Sequence, residues 1–275
     1  MIKNILLLAA LFAVGSVFAQ APAPLPPVRI ILVGDSTMAV NSGWGPGFCA
    51  DVVPQLTCLN MAKGGRSTSS YRAEGSWAQV MDQLKRNSQF SATYVLIQFG
   101  HNDQPGKPGR STDLATEFPA NLRQYVEDVK AAGGNAVLIT SLTRRSFRDG
   151  KVKDDLLPWA DATKKVAADE GVPVLDLNAD SIAAVNKMGP VEANTLAMAP
   201  PPPVVAESAA SGNSVPAPKT AAPVVPSANA AERKGEAAPL FDYTHLGEKG
   251  SAYFGRMVAN ELIAAVPALQ PYIKP

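Results

Sequence analysis

The chain is poor in the residues that build metal centres and disulfide scaffolds, with two cysteines and two histidines among 275 residues. Two cysteines cannot close a disulfide-rich framework. Nor do so few Cys and His, scattered along the chain, supply the ligand cluster that zinc requires. Net charge is also lacking, since 25 Lys and Arg stand against 24 Asp and Glu. Such a balance offers no basic field to draw in nucleic acid or an anionic membrane surface. Beyond the N-terminal segment, no apolar run approaches the ~20 residues that span a bilayer. Internal repeats are absent. Function must therefore be sought in a local constellation of residues.

The N-terminal segment, MIKNILLLAALFAVGSVFAQ, sets Lys3 before an apolar run and ends that run at Val17-Phe18-Ala19. A basic start, a short apolar stretch and small residues at its close are the marks of a cleaved signal peptide. Residues 1–19 are therefore expected to direct export to the periplasm or the medium. The run is too short for a membrane anchor. Residues 20–275 suit one sizeable domain, because single cores grow to roughly 250 residues before splitting. In an oxidising compartment the close pair Cys49 and Cys58 reads as one disulfide.

Apolar, β-branched runs recur at 28–33, 56–60, 94–99, 136–141 and 172–177. Between them, 77–86, 118–132 and 157–170 carry apolar residues at spacings of three and four, the period of an amphipathic helix. Alternation of this kind builds a mostly parallel sheet with helices on both faces, and unbroken apolar strands fit a sheet buried on both sides. A last helix is expected over 246–266, with Tyr253, Met257, Val258, Leu262 and Ile263 turned inward. The stretch 197–239 is dominated by Ala, Pro, Val and Ser. That composition buries little side chain, so a mobile surface insertion is expected there.

The first strand runs into Gly34-Asp35-Ser36-Thr37. A serine on a tight turn at the carboxyl edge of such a sheet stands where open α/β sheets bind ligands, although Gly-Asp-Ser is also an ordinary turn. Serine becomes a nucleophile only beside a base, and histidine has the pKa for that work. His245 follows Asp242 by three residues at the start of the last helix. An Asp so placed can hold the imidazole Nδ1 proton and leave Nε2 toward a serine, or can simply cap the helix. The other histidine belongs to Phe99-Gly100-His101-Asn102-Asp103, after the third strand. There the Asn102 amide suits an oxyanion donor, while His101 reads as a loop residue. Gly64-Gly65-Arg66, after the second strand, lets backbone N–H groups approach a ligand, or is a plain turn.

In this order the four blocks resemble the SGNH hydrolases, or GDSL esterases. GDSTMA, NSGWGPGF, GGRSTSSY and FGHND resemble more closely the rhamnogalacturonan acetylesterase family. The likeness runs over 28–181 and from Phe241 onward. It implies a three-layer α/β/α sandwich of flavodoxin-like type, with a five-stranded parallel sheet. It also implies Ser36 as nucleophile and Asp242 with His245 as partners, with an oxyanion hole from Ser36, Gly65 and Asn102. The implied reaction removes acetyl groups from the galacturonate of pectin by an acyl-enzyme route, without metal or organic cofactor. The implied partner is an acetylated polysaccharide, met by a monomer.

An anionic substrate would suit cations on the loops, and Arg66, Arg72, Lys107 and Arg144 are candidates. His101 is a further candidate for a substrate contact, and Trp44 could stack on a sugar or pack the loop. A lipase or thioesterase would need a large apolar acyl pocket, whereas these loops are polar and glycine-rich. Xylan or a bacterial glycan could carry the acetyl group instead, and a binding protein without turnover is a third reading.

Overall fold

The structure, a computed structural model, describes residues 24–216 and 240–275. The expected signal peptide and the part of the Ala/Pro-rich stretch from 217 to 239 lie outside the described residues. The strands are β1 (Val28–Gly34), β2 (Leu56–Asn60), β3 (Ala92–Gln98), β4 (Asn135–Ile139), the short pair β5 (Phe147–Arg148) and β6 (Lys151–Val152), and β7 (Val174–Leu175). The helices are α1 (Gly45–Ala50), α2 (Thr68–Ala73), α3 (Ser76–Leu84), α4 (Glu117–Ala131), α5 (Leu157–Glu170), α6 (Leu177–Asn194), α7 (Pro203–Ala210) and α8 (Glu248–Ala265).

Five strands form one parallel sheet in the order β2-β1-β3-β4-β7, as expected. Successive residues of β1 point to opposite faces of the sheet. Ile30 and Leu32 join a core with Trp44 and Phe48 of the α1 region, Val185 of α6 and Phe254, Val258 and Leu262 of α8. Ile31 and Val33 join Tyr71, Val80, Val126 and Val166 from α2, α3, α4 and α5 on the other face. These are the three layers of an α/β/α sandwich. From β1 the chain moves outward to β2, crosses back over β1 to the central β3, and from there runs the other way to β4. The connections that leave β1 and β3 thus part at the carboxyl ends of those two strands, and that switch point is where such sheets open a crevice.

Cys49 and Cys58 are bonded, tying α1 to β2. Helices α1 and α8 meet backbone to backbone. A Cβ on Gly47 would lie 2.1 Å from the Ser251 carbonyl oxygen, and one on Gly255 would lie 2.3 Å from the Phe48 nitrogen. Only glycine lets these two backbones touch.

Two expectations need correction. The first part of the Ala/Pro-rich stretch is packed into the fold rather than mobile: Ala197 bridges to Leu246, Val205 and Ala209 of α7 are buried, and the Ser214 N–H donates to the Phe147 carbonyl while the Phe147 N–H donates to the Ser214 hydroxyl. Tertiary burial overrides its composition. On α8 the inward stripe is Phe254, Val258 and Leu262, while Tyr253 is exposed, because the helix meets the sheet one residue further round than the sequence pattern suggests.

Candidate active site

The turn after β1 is built by Asp35. Its Oδ1 accepts the Thr37 N–H at 2.9 Å and the Thr37 hydroxyl at 2.8 Å. Below, Gln98 donates to Thr37 Oγ1 at 2.6 Å and accepts from Trp44 Nε1 at 2.8 Å, so a buried polar chain fixes the turn that carries Ser36. Asp35 Oδ2 faces His101 Nδ1 at 3.5 Å, with both side chains buried. Burial pulls the His101 pKa down against the pull of the Asp35 charge. Burial raises the Asp35 carboxyl, but His101 and the Thr37 donors outweigh it and leave the pKa below its ordinary value.

His245 sits just ahead of α8. Its Nδ1 is 2.7 Å from Asp242 Oδ2, while Asp242 Oδ1 accepts the N–H groups of Thr244 and His245, each at 2.7 Å. Burial opposes ionisation of Asp242, yet His245 and the two N–H groups outweigh it and hold the pKa down at about 2. An ionised carboxylate only accepts, so the proton lies on Nδ1 and Nε2 keeps its lone pair. The Ser36 turn and this loop are tied together, since Ser42 Oγ donates to the Ser36 carbonyl at 2.7 Å and Leu246 N–H to the Ser42 carbonyl at 2.8 Å. Ser36 Oγ makes no hydrogen bond to His245 here, a contact that commonly tightens only when substrate binds.

Three donors stand on this edge. No acceptor among the described residues engages the backbone N–H of Ser36 or of Gly65. Gly65 holds a φ of +77°, which leaves its N–H in a conformation that side-chain-bearing residues resist. Asn102 spends one amide hydrogen on the Arg66 carbonyl at 3.0 Å and has a second to give. Its Oδ1 faces the Arg110 guanidinium at 3.5 Å, which fixes which way the amide points.

The block at Gly65 is locked to the block at Asn102 by Asp103. That carboxylate accepts from the Thr68 N–H at 3.1 Å, and from the hydroxyls of Thr68 at 2.5 Å and Thr112 at 2.9 Å. Burial, helped by the Asp35 charge, pushes its pKa up to about 6 against the pull of those bonds. At the start of α2, Ser67 and Ser70 cap each other reciprocally.

Of the expected substrate contacts, three need correction. Trp44 is fully buried against Phe48, so no sugar can stack on it. The His101 ring is 2% exposed and faces Asp35 rather than the crevice. Arg72 lies on α2, pairs with Asp128 at 2.9 Å and stacks over Tyr125, away from the site. Arg66 does reach the surface beside Asn102, where Glu74 pairs with it at 2.8 Å. Lys107 donates to the His101 carbonyl, and Arg144 is held by Asp155 and Gln104. The sequence reading missed Asp35, Gln98, Asp103 and Arg110. It also missed Arg145, a buried arginine whose bonds to the Asp242–His245 loop have no local signal.

Comparison with known proteins bears on this geometry. Residues 32–253 match the GDSL-like lipase/acylhydrolase family. The rhamnogalacturonan acetylesterase RhgT of Bacillus subtilis is 34% identical over 178 residues, which cover 62% of this chain and 73% of that protein. A second Bacillus subtilis protein, the probable rhamnogalacturonan acetylesterase YesY, is 29% identical over 168 residues, 58% of this chain and 75% of its own. Among solved structures, the Bacillus subtilis protein YxiM superposes with a TM-score of 0.59 at 21% identity, covering 88% of this chain and 57% of that one. At that identity the likeness speaks to the fold.

Proposed function

The chain belongs to the GDSL-like lipase/acylhydrolase family, and we propose that within it this protein is a carbohydrate esterase that removes O-acetyl groups from rhamnogalacturonan. The observation that carries the reading is the His245–Asp242 bond at 2.7 Å beside a serine turn whose own N–H, with that of Gly65, is unspent. The substrate class is supported by the names of the relatives RhgT and YesY. A groove of about 520 Å³ beside the Ser36 and His245 loops, lined by Val40, Asn41, Ser42, Met198 and Leu246, gives room for neighbouring sugars of a polymer.

In the proposed reaction Ser36 Oγ attacks the acetyl carbonyl as His245 Nε2 takes its proton. Negative charge gathers on the carbonyl oxygen, where the N–H groups of Ser36 and Gly65 and the Asn102 amide receive it. The imidazolium then protonates the departing sugar hydroxyl and leaves acetyl-Ser36. Water, activated by the same imidazole, attacks this ester, releases acetate and restores the serine.

We further propose a single catalytic domain over 20–275, exported by the segment 1–19 and acting as a monomer. The Cys49–Cys58 bond is in keeping with an oxidising compartment. No helix among the described residues is long and apolar enough to cross a membrane. Arg66, exposed beside the donors, is the proposed contact for an anionic sugar.

The test is acetate release from acetylated rhamnogalacturonan, acetylated xylan and p-nitrophenyl acetate by the wild type and Ser36→Ala. Release from the pectic fragment by the wild type alone is expected. Turnover of xylan in its place would move the substrate class, and equal release by both proteins would remove Ser36 as nucleophile.

A further inference from the structure

The loop carrying Asp242 and His245 is unusual in how its backbone is divided. The N–H groups of Thr244 and His245 turn to one side and are taken by Asp242 Oδ1. The carbonyls are taken by one residue from a distant part of the chain. Arg145 Nη2 donates to the carbonyls of Asp242 at 3.0 Å and His245 at 2.8 Å, and Nη1 to that of Thr244 at 3.3 Å. Its backbone N–H donates to the fourth, that of Tyr243, at 2.8 Å. Thus every carbonyl from 242 to 245 is fastened to Arg145.

Arg145 lies in the connection between β4 and β5, and its side chain is wholly buried. Burying a guanidinium is costly, and an apolar side chain would fill the space with less penalty. Burial also lowers its pKa to about 10, against the opposing Asp242 charge. The cost is explained by what the planar fork can do that another side chain cannot. It reaches several acceptors at fixed angles, in a loop whose carbonyls no strand or helix satisfies.

We propose that Arg145 is a positioning residue that aims the Asp242–His245 pair at Ser36 by holding the backbone of their loop. The proposal rests on the reading of that pair as the partners of Ser36. It goes beyond it in giving a role to a residue that touches neither substrate nor Ser36.

Arg145→Lys keeps the charge with one nitrogen in place of the fork, and Arg145→Met keeps the stem alone. With p-nitrophenyl acetate, kcat is expected to fall by about 10²-fold in each, as misplacement of a catalytic group does. KM should stay within roughly twofold, because acyl binding is untouched. In proton NMR spectra the downfield signal of the His245 Nδ1 hydrogen should shift or broaden in a variant whose thermal midpoint shows it folded.

A folded variant with wild-type kcat and an unmoved Nδ1 signal would overturn the proposal. So would a loss of activity that only tracks the folded fraction. Failure of both variants to fold would overturn it too, because Arg145 would then be required by the fold and not by the aim of the loop. Asp242→Asn is the control: if that variant is fully active, the reading of the pair as catalytic fails, whatever Arg145 does.

Discussion

At the scale of single residues the site is a matter of which groups still have something to give. Asn102 has one amide hydrogen committed to the Arg66 carbonyl and its oxygen turned to Arg110, so the second hydrogen is its only free resource. Asn102→Asp keeps the shape and the Arg110 contact but replaces the donor with an acceptor where charge builds. Its kcat on p-nitrophenyl acetate is expected to fall by more than the ~10²–10³-fold typical of removing one oxyanion donor. Asn102→Ala should fall within that range and lose about 1 kcal/mol of stability with the Arg66 bond. An Asp variant as active as the wild type would take Asn102 out of the oxyanion hole.

At the scale of elements, the distance between Ser36 and His245 is set by α1 and α8. One follows Ser36 along the chain, the other begins just past His245, and the two meet backbone to backbone at Gly47 and Gly255. Gly255→Ala would place a methyl group 2.3 Å from the Phe48 nitrogen, a contact that requires the helices to part. We expect a loss of about 1–3 kcal/mol, the usual cost of overpacking, seen as a lowered denaturation midpoint. Because both helices carry the site, kcat should fall as well. A variant with unchanged midpoint and kcat would show that this contact does not set the site. The elements also show what a sequence can disclose. The edges of β1 and β2 and the whole of α5 were legible, because buried parallel strands and an amphipathic helix of several turns write their own periods. The short α1 and α2 complete too few turns to show one. Helix α6 is broken at Gly189 and Pro190, and α7 is hidden in an Ala/Pro-rich composition, with Val205 and Ala209 buried by tertiary packing. For the site, the Ser, Gly, Asn and Asp-x-x-His blocks were legible as local motifs. The burial of Trp44, His101 and Arg145 was not, since burial is decided by elements distant in the sequence.

For the whole molecule, Asp242, Asp103 and Glu261 are three of the carboxyl groups through which stability changes with pH, and they do not agree in sign. Asp242 is held at about 2, below its ordinary 3.8, so its contribution is present above about 3.8 and is lost in acid. Asp103 and Glu261 work the other way. Asp103 is raised to about 6 and Glu261 to about 8, so the native state binds their protons more tightly than the unfolded chain does. Stability therefore falls as pH rises through the interval between ordinary and raised values. Glu261, on α8, has the larger interval, from 4.5 to about 8. Burial is the first cause and the charges of Asp180 and Asp176 at the start of α6 add to it, while both carboxylate oxygens are shut from solvent without a partner. Arg256 opens on the same cavity but is drawn off by Asp51 at 2.9 Å. A Glu261→Gln variant cannot ionise. It should match the wild type near pH 4.5 and exceed it above pH 8 by an amount on the order of a few kcal/mol, at roughly 1.4 kcal/mol for each unit of the interval. Thermal midpoints measured at the two pH values check this directly. A wild-type midpoint that holds steady from pH 5 to 8, or an equal difference between the proteins at both ends, would mean that Glu261 has its charge neutralised or hydrated in solution and does not oppose folding.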